Sequence, residues 1–186
     1  MRPRRQPALV LPGGLRLREW TGADAPGLLS AMQDPLVHRY NGFLLADRAE
    51  AEFRVHRYAS AWADGDGVAW AVSDGSGSVL GSVRFALTDS DLGLGMVGYW
   101  LLPPVRGAGV VTAAVRAGSR LVLQRLGWHR VELRHAVENE HSCAVARRCG
   151  YRLEGVLRDG MRYPSDGRWS DEHLHARLTG DHDTDR

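Results

Sequence analysis

The chain has 186 residues, 44% hydrophobic and 25% charged, which suits one globular domain with a sizeable core. Its formal charge of +2 is too small to dictate a partner, and no run of about 18 apolar residues offers a membrane-spanning helix. The two cysteines, Cys143 and Cys149, fall six positions apart on one predicted helix, so a disulfide framework is excluded and a reduced, cytoplasmic protein is expected.

The segment before Gly14 is arginine-rich at its start, without the apolar stretch of a signal peptide, and is expected as a disordered arm over residues 1–13. Every basic residue other than histidine is arginine, which reads as a compositional bias. One domain is expected over 14–179, followed by a flexible, acidic tail over 180–186. Alternating apolar and polar residues from Leu15 to Trp20 predict a half-buried strand. Asp24 is placed to cap a helix over Ala25–Gln33, with Pro26 in its first turn and Pro35 stopping it. Asp47 opens a longer helix that puts Val55, Tyr58, Ala59 and Trp62 on one face.

A strand over Val68–Ser73, a turn at Asp74–Gly77 and a strand over Val79–Leu87 read as a hairpin. Another strand follows at Met96–Leu102. Then Pro103-Pro104 leads through a glycine-containing loop into a long apolar helix over Val110–Leu126. The rest alternates: a strand over Val131–Val137, a helix over Asn139–Cys149 closed by Gly150, and strands at Tyr151–Leu157 and Trp169–Leu178. Trp62, Trp70 and Trp100 read as core aromatics.

The loop Val105-Arg106-Gly107-Ala108-Gly109 joins a strand to a helix start. Unpaired N–H groups and the positive end of the helix dipole suit a pyrophosphate there, and glycine lets the backbone approach it closely. A plain strand-to-helix turn would use the same glycines. The literal G-x-G-x-x-G at Gly93–Gly98 runs into a strand instead of opening a helix, so it lacks the context of a dinucleotide fingerprint. His173 and His175 share a strand face, but with no third ligand evident they read as a solvated pair, and no metal is expected.

Together, Val105–Gly109, Asn139-x-x-Ser142, Arg147-Arg148-Cys149-Gly150-Tyr151 and Glu154-Gly155 resemble the GNAT superfamily of N-acetyltransferases, more narrowly the RimJ/RimL-type branch. Tyr99-Trp100-Leu101 and Gly167-Arg168-Trp169 fit that branch too. The resemblance spans Leu15 to Leu178. It implies a single-domain α/β fold with a mixed, mostly antiparallel sheet, a splayed parallel strand pair and flanking helices. It also implies an enzyme that moves an acetyl group from acetyl-CoA to a primary amine, a protein N-terminus or a small molecule, by direct attack in a ternary complex.

On that basis Leu101 and Leu102 would pair with the pantetheine amides. Arg106, Gly107, Ala108, Gly109, Val110, Val111 and Thr112 would hold the pyrophosphate, and Asn139 would contact the cofactor. Tyr40, Asn41 and Phe43 would line the acceptor pocket. The family's usual tyrosine acid is replaced by Ala146, which leaves Ser142 as the expected proton donor. The glutamate that receives the amine proton in RimL-like members is replaced by Met161, with Glu138, His135, Asp159 and Asp171 as substitutes. A rival reading is an acyl-CoA-binding module without catalysis. Neither a membrane nor a nucleic acid is expected as partner, and either a monomer or a homodimer would suit the fold.

Overall fold

The computed structural model describes residues 5–41 and 43–181. Its backbone is an eight-stranded sheet in the order β1-β2-β3-β4-β5-β6-β8-β7. The strands are β1 (Leu9–Val10), β2 (Arg16–Arg18), β3 (Gly67–Ser73), β4 (Val79–Asp89), β5 (Leu94–Leu101), β6 (Arg130–Ala136), β7 (Arg152–Arg162) and β8 (Trp169–Leu178). Every neighbouring pair is antiparallel except β5 and β6, which run parallel. The helices are α1 (Ala25–Ala31), α2 (Pro35–Tyr40), α3 (Arg48–Asp64), α4 (Val110–Arg120) and α5 (Glu140–Arg148). None among the described residues is long and apolar enough to cross a membrane.

Each face of the sheet builds its own core. Helices α1 to α3 pack Leu28, Val55 and Tyr58 against Ala69, Ala71 and Trp100. On the other face, α4, the turn that follows it and α5 pack Val115, Val122 and Val145 against Trp70, Phe85, Val131 and Leu133. Gly118 of α4 sits so close to Phe85 that a Cβ would lie 2.2 Å from Cε2, which sets the helix-to-sheet distance. The buried edge of α3 is Ala51, Val55, Tyr58, Ala61 and Trp62; Ala59, expected on it, points to solvent, because the 3.6-residue repeat carries the stripe to Ala61.

Several boundaries differ from the expectations, each for a local reason. Residues 1–4 of the expected arm lie outside the described residues, but Gln6 to Val10 pack on the sheet. Gln6 is buried with its amide donating to the Ala69 carbonyl, the Trp70 indole donates to Pro7, and Leu9 pairs with Leu17. The strand there is two residues long, too short to show a period. Pro35 does not merely stop a helix: it is the first residue of α2, where its missing N–H costs nothing, and Asp34 caps it through the Leu36 and Val37 amides.

Asp24 offers α1 no side-chain cap. Its carboxylate accepts from the Thr21 amide and pairs twice with Arg18, at 2.8 Å each. The long helix stops being α-helical at Arg120 and ends in a wider turn over Leu121–Arg125 before Gly127 at φ +75°. Of the expected tail, 182–186 lie outside the described residues, while Asp181 accepts from the Leu178 amide.

Candidate active site

The sheet opens where β5 and β6 part. They pair only at Leu94↔Arg130, Gly95↔Val131 and Met96↔Glu132. Beyond that point β5 stays with β4 up to Leu101↔Gly81, and β6 stays with β8 up to Ala136↔Glu172. A gap therefore runs between Val97–Leu101 and Leu133–Ala136. Antiparallel strands turn alternate residues toward the partner, and the Leu102 amide donates to the Leu80 carbonyl at 2.8 Å. Leu101 and Tyr99 consequently direct their main-chain groups away from β4, into the gap. Leu102, expected beside Leu101, is already engaged, since its carbonyl also accepts from the Val105 amide.

At the end of this gap stands the N-terminus of α4. Gly107 and Gly109 have φ of +76° and +73°, and a Cβ on either would meet nothing within 4 Å. This loop curls around open space. The first intrahelical donor is Ala113, so the amides of Val110, Val111 and Thr112 have no helical acceptor, and no acidic side chain stands in the first turn. Arg106 is not a free cation. Its Nε donates to the Leu101 carbonyl at 2.8 Å, and its terminal nitrogen pairs with the Asp34 carboxylate. Burial alone would raise the Asp34 carboxyl, but Arg106 and the capping amides outweigh it and hold it below the ordinary range. Arg106 thus ties the loop to the start of α2.

Helix α5 borders the gap from the β6 side. Asn139 caps it, its side chain accepting from the Ser142 amide at 3.2 Å. Its C-terminus closes on Gly150 at φ +77°, with the Tyr151 amide reaching back to Ala146 and the Gly150 amide to Arg147. Ser142 is half-buried beside the Tyr99 phenol. Burial raises the Tyr99 phenol strongly, Ser142 opposing, and among the described residues its hydroxyl has no hydrogen-bond partner of ordinary geometry. In the sequence Tyr99 stands out only as part of the Tyr99-Trp100-Leu101 motif. Its place on the gap side of β5 was visible in the strand alternation, but its meeting with Ser142 was not. Ala146 is fully buried and supplies no acid.

Of the expected acceptor residues, Tyr40 meets another aromatic, its ring 6.3 Å from that of Tyr163 in an edge-on arrangement. Arg39 lies over both rings and pairs with Glu138 at 3.5 Å. Asn41 turns inward, its amide donating to the Phe43 carbonyl, and Phe43 is covered by the Arg54 guanidinium at 3.9 Å.

The four substitute bases fare unequally. Glu138 accepts from the Tyr163 hydroxyl and from Ser170 at 2.9 Å; the Tyr163 bond above all pulls its carboxyl down to about 2. A carboxylate so stabilised is a poor proton acceptor. The Asp171 carboxylate is occupied by the Asp159 amide at 2.9 Å, where Asp159 bulges at φ +47°. His135 is buried, and desolvation lowers it below the ordinary imidazole range. Glu172, not singled out from the sequence, is half-buried and raised by desolvation, with Arg134 opposing. His173 and His175 are not solvated as expected, since His175 is fully buried.

A splayed parallel pair with a helix N-terminus beyond its open end frames the site, and the sequence comparison gives the class of enzyme, an acyltransferase. The family model described as "Acetyltransferase (GNAT) domain" matches residues 14–152, and the chain belongs to this family. It is 35% identical over 85 residues to the protein named "Putative ribosomal N-acetyltransferase YdaF" of Bacillus subtilis (strain 168), a stretch covering 46% of each chain. The chain thus spans about half the length of the curated relatives it matches.

Among solved structures, a ribosomal-protein-S5-alanine acetyltransferase from Vibrio fischeri superposes with a TM-score of 0.84 at 17% identity, covering 95% of this chain and 98% of the other. Mycobacterium smegmatis RimJ in complex with CoA-disulfide gives 0.78 at 22% identity, covering 92% and 86%. At these identities the structural likeness establishes the fold: a single α/β domain with one parallel pair.

Proposed function

We propose that the chain is an acetyl-CoA-dependent N-acetyltransferase of the RimJ/RimL type, acting on a primary amine by direct attack in a ternary complex. The observation that carries this reading is the gap between β5 and β6, lined by the Tyr99 main chain and the Leu101 amide, with the Leu101 carbonyl held by Arg106, and ending on the amides of α4 that have no helical acceptor. Pantetheine would lie along β5, completing the sheet where β6 has left it. The pyrophosphate would sit on Gly107 to Thr112, held by backbone N–H groups and the helix dipole, with Arg106 bracing the loop rather than touching phosphate. Asn139 acts through its cap, which fixes the first turn of α5 and so the position of Ser142.

Chemically, the amine nitrogen attacks the thioester carbonyl, the carbon–sulfur bond breaks, the nitrogen gives up one proton to water in the open cleft, and the departing thiolate takes one from the enzyme. Ser142 is the group assigned to supply it, with the protonated Tyr99 phenol beside it as a source of replacement. The amine must reach the site neutral. With Glu138 locked by Tyr163 and Ser170, an amine of low pKa suits the site best. An α-amine at about 7.7–8.0 is partly neutral without help, whereas a lysine side chain at about 10.4 is not. A protein N-terminus or a small weakly basic amine is therefore the favoured acceptor, in keeping with the names of the relatives, and Tyr40 and Tyr163 would flank it.

The test is incubation with acetyl-CoA and two matched panels, peptides with free N-termini and small amines, following free thiol and the mass gain of acetylation. Thiol release that depends on the acceptor supports the reading. CoA binding with no acceptor-dependent release across both panels overturns it in favour of a silent acyl-CoA-binding module.

A further inference from the structure

Beneath α5, and outside the path assigned to CoA, three imidazoles and a thiol converge. His135 comes from β6, His173 and His175 from β8, and Cys143 from α5. One ligand atom of each lies within 4.8 Å of all the others. Strand register makes the meeting: His135 and His173 are direct partners across β6 and β8, and His175 stands one pleat along on the same face, opposite Leu133. The His135 and His175 rings stack at 5.3 Å and 24°, and His173 meets both edge-on. Helix α5 then lowers Cys143 onto the group, its sulfur 3.9 Å from His175 Nε2.

The tautomers point inward. His135 Nδ1 lies 2.8 Å from the Ala136 carbonyl, and His175 Nδ1 lies 3.4 Å from the Tyr151 carbonyl. A carbonyl only accepts, so both rings carry hydrogen on Nδ1 and present a bare Nε2 to the cluster. This is the arrangement by which metal-binding histidines are oriented, with the outer nitrogen held by the main chain. The inner nitrogens are otherwise poorly served. His135 is 5% exposed, yet among the described residues its Nε2 has no hydrogen-bond partner, and the buried His173 Nδ1 has none either. A weak contact from the Cys143 thiol to His175 accounts for one of these acceptors and leaves His135 Nε2 unexplained, at the ordinary cost of a buried unsatisfied group.

We propose that His135, Cys143, His173 and His175 form a tetrahedral site for a zinc-type divalent ion. The donor set contains imidazole and thiol and no oxygen, which suits zinc and disfavours magnesium or calcium. At zinc–nitrogen distances near 2.0–2.1 Å and zinc–sulfur near 2.3 Å, four tetrahedral donors stand about 3.3–3.6 Å apart, so side-chain rotation of about an ångström closes the site. Binding exchanges the Cys143 thiol proton for the metal and releases it to water.

The ion joins α5 to β6 and β8 on the part of β6 that has left β5. It therefore fixes the first turn of α5, and with it Ser142, against the open edge of the sheet. Its role is structural, because all four positions are filled by protein.

The test uses the full, untagged chain stripped with a chelator and titrated with Zn²⁺ and, as a spectroscopic probe, Co²⁺. The expected result is one zinc per chain retained through gel filtration and a higher Tm with zinc than with magnesium. With cobalt, the expected spectrum combines intense tetrahedral bands with a sulfur-to-cobalt charge-transfer band. Cys143→Ser should abolish the charge-transfer band, and His135→Gln should weaken binding at least about tenfold, while Cys149→Ser leaves both unchanged.

A folded wild-type chain that retains no zinc and gives only the weak octahedral cobalt spectrum overturns the proposal. So does stoichiometric zinc binding that Cys143→Ser and His135→Gln leave untouched. The wild-type measurements decide the matter even if a variant fails to fold, and none depends on acetyl transfer.

Discussion

Gly109→Ala separates the cost of a strained turn from the cost of obstructing a ligand. Gly109 holds φ +73° at the start of α4, and a Cβ there would meet no atom within 4 Å. Packing therefore adds nothing, and the folded-state penalty is left-handed strain alone, about 1–2 kcal/mol for an alanine. The lower entropy of alanine in the unfolded chain offsets about 0.4–1 kcal/mol of that. The net loss is about 1 kcal/mol, or about 2–4 °C in Tm for a chain of this size.

That open space is where the pyrophosphate is assigned. If the assignment holds, the methyl keeps the phosphates from the amides of α4, and CoA affinity falls by at least tenfold, about 1.4 kcal/mol. Pantetheine, which lacks the pyrophosphate, should bind both proteins alike. Thermal melting without ligand and calorimetric titration with CoA and with pantetheine read the two effects separately. A CoA affinity within about twofold of wild type, with the expected drop in Tm, would falsify the phosphate cradle while leaving the fold intact.

Three other outcomes follow from named contacts. Ser142→Ala should lower kcat by about a hundredfold with CoA binding unchanged. The Asn139 cap survives this substitution because it is made to the Ser142 main-chain amide, so an unchanged kcat would remove Ser142 from the chemistry. Gly118→Ala drives a methyl into the Phe85 ring at 2.2 Å, and because Phe85 is fully buried the core must shift. Denaturant unfolding should show a loss of about 1–3 kcal/mol, and full stability would mean that α4 can lift from the sheet.

Glu138, held down to about 2 mainly by the Tyr163 hydroxyl, contributes stability that is present above the ordinary glutamate range and lost as pH falls toward 2. In Tyr163→Phe the Glu138 carboxyl should return toward that range in a carbon-detected NMR titration. An unmoved titration would mean that Ser170 and Arg39 hold it instead.

Much of this molecule is local and so was legible. The Asp47 cap of α3, the turn at Asp74–Gly77, the glycine ending of α5 and the whole of β8 are written in short-range patterns, because a cap or turn is decided by the few residues that form it. The glycine loop before α4 was equally plain, since φ near +75° at Gly107 and Gly109 calls for that residue type.

Other features come only from the packed chain. Arg106 reads as a phosphate ligand until Asp34, 72 positions earlier, takes it into an ion pair. Gln6 to Val10 read as part of a disordered arm until the open edge of β2 and the buried Trp70 indole give them partners.

The histidines mark the limit most sharply. His173 and His175 alone carry no third ligand, and the strand period shows only that they share a face. Antiparallel register brings His135 across from 38 positions away, and the docking of α5 adds Cys143. Short stretches of sequence set the alternation of strands and helices from β3 to β8, the Asp47 cap, the Gly150 ending and the helix start that suits an anion. Tertiary structure decided which side chains meet, because register and helix docking are set by burying whole faces of the sheet, a sum over many residues that no single stretch of sequence contains.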